Sequence, residues 1–171
     1  MKNGESILIE TPYIICNNGM YETLAGFCEG GRRVQIMTNA IESGANPFGC
    51  TDYLNEKKNI LATGSEVFEV SCGQSLHTKT ILVDDHISMI GSYNLDLRST
   101  YLDTELMLVI DCPELNQCLR ENASVKAEQS RHVLPDGTEN EGPDFQGEMP
   151  FYKKAGYFLL RLLTGLFRYL L

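Results

Sequence analysis

A histidine and a lysine stand two residues apart in His77-Thr78-Lys79-Thr80-Ile81-Leu82-Val83-Asp84, and Gly91-Ser92-Tyr93-Asn94 follows shortly after. The pattern is H-x-K-x4-D-x6-G-S-x-N. In extended chain, alternate side chains point to one side, so His77 and Lys79 face together. Two apolar runs, Lys79 to Val83 and His86 to Ile90, are joined by Asp84-Asp85 and read as a tight hairpin. Its return strand brings Ser92 and Asn94 beside His77 and Lys79. An imidazole, an ammonium, a hydroxyl and an amide then converge on one pocket. Such a set suits a phosphodiester. A neutral imidazole attacks phosphorus and forms a phosphoryl-histidine. Lys79 and Asn94 hold the non-bridging oxygens, where charge grows in the transition state. With these donors in place the chemistry requires no metal and no other cofactor. A carboxylate must orient the imidazole through its other nitrogen and stabilise the cation. Glu105, on the next strand, is the candidate. Asp84 closes the hairpin and is expected to be structural. Gly91 and Ser92 support the turn, with the Ser92 hydroxyl either in the pocket or spent on the turn backbone.

The elements around this stretch must place it. Ser6 to Ile15 reads as a strand, bent or edged at Pro12. Asn17-Asn18-Gly19 is a turn, and Asn18 is set to cap a helix over Met20 to Cys28 with Leu24, Phe27 and Cys28 buried. Gly30-Gly31 ends it. Arg33 to Thr38 is a second strand. Asn39 to Cys50 reads as a loop, Thr51 or Asp52 opens a second helix closed by Gly64, and Glu66 to Val70 is a third strand. Strand, helix, strand, helix, strand suggests βαβ crossovers and a largely parallel sheet. Asp103 to Asp111 is a further strand, and Pro113 starts a helix running to about Gln129. Arg131 to Pro150, rich in Gly, Pro and acids, reads as an exposed loop. The expected organisation is a lobe over 1–130, a loop over 131–150 and a C-terminal helix over 151–171.

Composition bounds the possibilities. The chain has 171 residues, 43% of them apolar and 22% charged, which is ordinary for a single globular domain. Its net charge of -9 opposes binding to nucleic acid, and no nucleic acid partner is expected. The charge is uneven: from Lys153 onward there are four basic residues and no acidic one. The remainder carries -13. Lys154, Arg161 and Arg168 recur every seven residues in this tail, on one polar stripe among leucines. Arg161 breaks the apolar run, so a membrane span is disfavoured. Two readings stand: an interfacial helix on an anionic membrane surface, or a last helix packed on the protein's own core or a partner lobe. The six cysteines form no C-x-x-C pair and no zinc site is expected; free thiols in a reducing cytosol are the simpler reading. Met1 to Ser6 is short and polar, and Glu10 interrupts the apolar run after it, so no secretory leader is expected.

The stretch from His77 to Asn94 resembles the phospholipase D superfamily, whose signature is the HKD motif. His77, Lys79, Asp84, Gly91, Ser92 and Asn94 stand at the family's spacing. The continuation Leu95-Asp96-Leu97-Arg98-Ser99 and the later Asp103-Thr104-Glu105 also resemble it, with Asp103 where many members have Asn. Ile9-Glu10-Thr11-Pro12-Tyr13-Ile14 is similar to the strand that opens the second lobe of bacterial cardiolipin synthases, and Arg33 to Asn39 resembles their next strand. The basic, leucine-rich tail resembles the end of the same subgroup.

The resemblance implies an α/β sandwich with a mixed sheet flanked by helices, and a phosphatidyltransferase peripheral to the cytoplasmic face of the cell membrane. His77 would take a phosphatidyl group from a phosphatidylglycerol-like phospholipid. A phosphatidylglycerol hydroxyl as acceptor would give cardiolipin, and water would give phosphatidic acid. Family enzymes use two HKD motifs, one per lobe, with the second histidine as general acid. This sequence carries one: His86 has no lysine at the required place, and His132 lies in the expected loop. The chain therefore looks like a C-terminal half that needs a second HKD lobe, either its own copy or a separate N-terminal half. A metal-independent nuclease on the same site, or a non-catalytic half-lobe binding lipid or a partner, are the alternatives.

Overall fold

The computed structural model describes residues 6–168. The leader reading of residues 1–5 and the tail residues 169–171 lie outside them. Period-two apolar residues build the centre of the sheet. In β1 (Ser6–Glu10), Ile7 and Ile9 face one core and Leu8 faces another. Strand β2 (Arg33–Asn39) does the same with Val34 and Ile36 against Met37. Between them runs α1 (Asn18–Glu29), capped by the Asn17 side chain rather than by Asn18. Helix α2 (Pro47–Ala62) starts earlier than expected, because Asn46 caps it and Pro47 fits its first turn. Strand β3 (Glu66–Val70) follows where the sequence placed it. The parallel strands β1, β2 and β3 are adjacent, and the crossover helices α1 and α2 pack on one face.

The hairpin β4 (Thr80–Val83) and β5 (Ile87–Gly91) lies beside β1, with β6 (Met107–Asp111) at the edge. A short helix α3 (Leu97–Tyr101) precedes β6. Helix α4 (Pro113–Glu128) covers the second face, where Ala123 meets Leu8, Met37 and Leu82. The sheet order is β6-β5-β4-β1-β2-β3-β7-β8.

Two expectations are corrected. The sheet is mixed, but it is not largely parallel: β1–β2 and β2–β3 are parallel, and the other strand-to-strand pairings of the sheet are antiparallel. Parallel neighbours need long crossovers, and only α1 and α2 join adjacent strands that way. Nor is 131–150 one loop. It contributes β7 (Ser130–Val133), paired with β3, and β8 (Glu139–Glu141), paired with β7. Side-chain pairing holds this end. Arg131 bonds Glu69 at 2.9 Å, and His132 stacks on Phe68 while meeting Glu66 at 3.0 Å.

Helix α5 (Phe151–Phe167) packs on α2. Of its basic stripe, Lys154 and Arg161 are exposed and Arg168 is half-buried. The Arg161 guanidinium donates to Asn55 and that of Arg168, just past the helix, to Asp52, both at 2.8 Å. The leucines between them point to solvent. No helix of the described residues is long and apolar enough to cross a membrane.

Candidate active site

The site forms where β1 and β2 end and β4 begins. After β3 the chain returns across the sheet through residues 71–79 without regular structure. Asn39, at the end of β2 and 5% exposed, brackets this return. Its amide donates to the carbonyls of Leu76 at 2.9 Å and Pro12 at 3.1 Å, and its oxygen accepts from the Leu76 amide at 2.6 Å. Leu76 is thereby fixed in the core, and His77 turns outward and is exposed. Lys79 is half-buried just before β4. Its Nζ lies 3.2 Å from His77 Nδ1 and donates to the His77 carbonyl at 3.0 Å. The pair shares one side of the strand entry, as the spacing predicts.

The return strand supplies the second group. Gly91 ends β5 where a Cβ would collide with the Leu106 carbonyl, so only glycine lets β5 and the segment before β6 come this close. Its amide donates to the Lys79 carbonyl at 3.2 Å. The Ser92 hydroxyl accepts from the Leu106 amide at 3.0 Å and donates to Glu105 Oε2. Glu105 Oε1 accepts from the Ser99 hydroxyl at 2.8 Å, and that hydroxyl accepts from the Asn94 backbone amide at 3.2 Å. Asp96 caps α3 and accepts from the Ser99 amide at 2.7 Å. Serine hydroxyls thus tie Asn94 and Glu105 into one cluster. The Asn94 side-chain oxygen is buried and unpaired.

The carboxylates reach the lysine electrostatically. Burial lowers the Lys79 pKa, and the nearby negative charges of Glu105 and Asp96 partly offset this. The structure therefore gathers His77, Lys79, Asn94 and Glu105 at one end of the sheet. It does not make the expected bond between Glu105 and His77. Two serine hydroxyls hold the carboxylate, and Lys79 faces the imidazole nitrogen instead. Ser92 spends its hydroxyl on the Leu106 backbone and Glu105, leaving it a supporting part. Asp84 lies at the far end of β4, about 17 Å of extended chain from Lys79. There it exchanges bonds with the Ser6 backbone, both at 2.8 Å, with φ 49°. Its place is structural.

Sequence reasoning missed Asn39, Asp96 and Ser99 as positioning residues. Asp96 before a short polar run was a helix-start signal. Asn39 gave none: it read only as the first residue of a loop.

A family model described as "Cardiolipin synthase, PLD-like domain" matches residues 1–124. Cardiolipin synthase A of Erwinia tasmaniensis is 32% identical over 108 residues, which cover 63% of this chain and 21% of that protein. Among solved structures, Nuc from Salmonella typhimurium, a phospholipase D family member, overlays with a TM-score of 0.62 at 21% identity, covering 75% of this chain and 82% of that one. Phosphatidylserine synthase of Haemophilus influenzae overlays with a TM-score of 0.64 at 17% identity, covering 97% of this chain and 42% of that one. At these identities the two overlays speak for the fold. The chain spans 21% to 30% of the length of the curated relatives it matches. With its mixed sheet and the histidine–lysine pair at the strand ends, the chain belongs to the phospholipase D superfamily, among the cardiolipin synthase-like domains.

Proposed function

We propose that this chain carries one half of a phosphatidyltransferase site of cardiolipin synthase type. The carrying observation is the His77–Lys79 pair, 3.2 Å apart on an exposed strand entry beside Asn94 and Glu105. His77 attacks the phosphorus of a phosphatidylglycerol-like lipid. A phosphorus–nitrogen bond forms, the bond to the leaving alcohol's oxygen breaks, and that oxygen takes a proton from an acid on a second HKD lobe. An acceptor hydroxyl then attacks phosphorus, passes its proton to that same group, and releases His77. Lys79 and Asn94 hold the non-bridging oxygens.

An ammonium can only donate, so Nδ1 of His77 accepts from Lys79 in the resting site. The neutral ring then carries its proton on Nε2, the wrong tautomer for attack by that nitrogen. A bound phosphodiester draws Lys79 to its oxygens and frees Nδ1 to turn toward Glu105. The exposure of His77 and the apolar surface of Tyr101, Leu102, Leu106 and Leu108 nearby support a covering second lobe. A peripheral seat on the cytoplasmic membrane face completes the reading. A nucleic acid substrate fits less well with a net charge of -9.

The test mixes the chain with an N-terminal cardiolipin synthase lobe and phosphatidylglycerol labelled in its phosphate. Turnover on mixing, with acid-labile label on the chain that disappears in His77→Ala, is expected. Label that persists in His77→Ala removes the assigned nucleophile.

A further inference from the structure

We infer that Thr11 is a positioning residue: its hydroxyl, with the Asn39 amide, sets the separation between the nucleophile His77 and the oxygen-holding amide of Asn94. Both groups stand outside the strands and helices, His77 in residues 71–79 and Asn94 in residues 92–96. Among the described residues no hydrogen bond joins residues 71–78 to residues 92–96 directly. Each segment is bonded instead to the turn that follows β1. Asn39 donates to Pro12 and to Leu76, the residue before His77. Thr11 makes the matching link on the other side. Its hydroxyl donates to the Tyr13 carbonyl at 2.9 Å and accepts from the amide of Leu95, next to Asn94, at 3.0 Å.

The sheet is the reference for both links. Asn39 ends β2, and Thr11 directly follows β1 with its amide donating to the Met37 carbonyl of β2 at 3.0 Å. Thr11 is 1% exposed, so it acts through its neighbours and not on the phosphodiester. A hydroxyl has one hydrogen to give, and here Tyr13 takes it while Leu95 uses a lone pair. One side-chain orientation therefore serves both segments. The Ile15 amide donates to the Leu95 carbonyl at 2.9 Å, so residues 11–15 grip Leu95 at both backbone groups. Ser99 holds Asn94 on its other side, but Ser99 has no bond to the segment that carries His77. Placing positioning groups on rigid strands and reacting groups on the segments they hold is how a site keeps its geometry. An error of about 1 Å between attacking and holding groups costs about 10² in rate. The roles given to His77 and Asn94 rest on the transfer reading of the site; their placement does not.

The experiment compares Thr11→Val, which keeps the shape and removes the hydroxyl, with Thr11→Ser, which keeps the hydroxyl. Both are made in the full chain, with the exposed Thr23→Val as control. Nuclear magnetic resonance needs no turnover. In Thr11→Val the Leu95 amide should exchange about tenfold faster. The signals of the His77 ring and of the Asn94 side-chain amide should both shift, and Thr11→Ser should restore them. Unmoved His77 and Asn94 signals in folded Thr11→Val overturn the inference. Mixed with an N-terminal cardiolipin synthase lobe and phosphatidylglycerol, Thr11→Val should lower kcat about 10²-fold and leave KM nearly unchanged. In an Asn94→Ala background the same substitution should lower kcat less than about twofold, because the group it positions is gone. An equal loss in both backgrounds would make Thr11 a scaffold residue and overturn the inference. Should Thr11→Val not fold, Thr11→Ala carries the same expectations without a methyl against the two polar groups. A parent mixture that turns over no lipid would sink the phosphatidyltransferase reading and leave the resonance comparison to decide this one.

Discussion

The ammonium of Lys79 stands 3.2 Å from Nδ1 of His77 and is itself half-buried. Burial lowers its pKa, with Glu105 and Asp96 opposing. In the proposed transfer its charge holds a phosphate oxygen, so the transferring form is the protonated one. As pH rises through this lowered pKa the ammonium loses its charge and the rate falls. The alkaline limb of the pH–rate profile of the assembled enzyme is expected below the roughly 10.4 of an ordinary lysine. Lys79→Arg should move that limb upward, and Lys79→Ala should cost about 10²–10³ in rate. A limb unchanged in Lys79→Arg would show that another group sets it.

Ser99 links three parts of the site: its hydroxyl accepts from Asn94, donates to Glu105 and stands in the first turn of α3. Ser99→Ala removes a hydrogen bond to a charged group, worth about 1.5–3 kcal/mol. It also leaves Glu105 held by Ser92 alone. We expect that loss in urea unfolding, together with a fall in kcat larger than any change in KM. Ser99→Thr, which keeps the hydroxyl, should recover part of both. A stability loss with kcat intact would make Ser99 a scaffold residue only.

How far the sequence foretold all this depended on the kind of signal each element carries. β1, β2 and β3 and the β4–β5 hairpin were legible because their apolar residues alternate and turn residues bound them. The approach of lysine to histidine was legible because spacing two apart at a strand entry puts both side chains on one side. α3 escaped notice: five residues hold no apolar period, and its start rests on the Asp96 cap. β7 and β8, Ser-Arg-His-Val and Glu-Asn-Glu, carry no alternation either. β7 becomes a strand because β3 offers an edge lined with Glu66 and Glu69, and β8 pairs onto β7; such ion pairing is invisible until the chain has folded. The bond from Glu105 to His77 was the natural guess for a carboxylate on the next strand. Two serines brought in by α3 and β5 took that carboxylate instead.

Arg131 should therefore be a keystone of the β3–β7 end. It bonds Glu69 at 2.9 Å and Glu42 at 3.0 Å, and lies over the Phe145 ring. Glu69 is buried and also receives Tyr53 and Lys57, both at 2.7 Å. Arg131→Ala strands the Glu42 carboxylate and leaves Glu69 with Lys57 as its one counter-charge, which costs about 3–5 kcal/mol. Urea unfolding measures it. Arg131→Lys should recover only part, since one ammonium cannot span both carboxylates as a guanidinium fork does. A loss near zero would mean that Lys57 alone neutralises this cluster.

Asp52 and Arg168 decide whether α5 stays on the body. Asp52 is 1% exposed, and one of its oxygens has no partner. Burial raises its pKa, and the Arg168 charge pulls it back only in part. A carboxyl whose folded pKa lies above its unfolded value is held less well once ionised. Its contribution is therefore favourable below the unfolded pKa and is lost as pH rises through the folded one. Arg168→Gln removes the counter-charge, drives the Asp52 pKa further up and leaves a buried carboxylate unpaired. The protein should lose about 3 kcal/mol at neutral pH and markedly less in mild acid, where Asp52 is protonated. Asp52→Asn should rescue much of the loss, because an amide needs no counter-charge. The double-mutant cycle in urea at the two pH values separates this from a packing effect. If Arg168→Gln costs the same in both pH conditions and Asp52→Asn rescues nothing, α5 is held by Thr164 and its helix contacts alone.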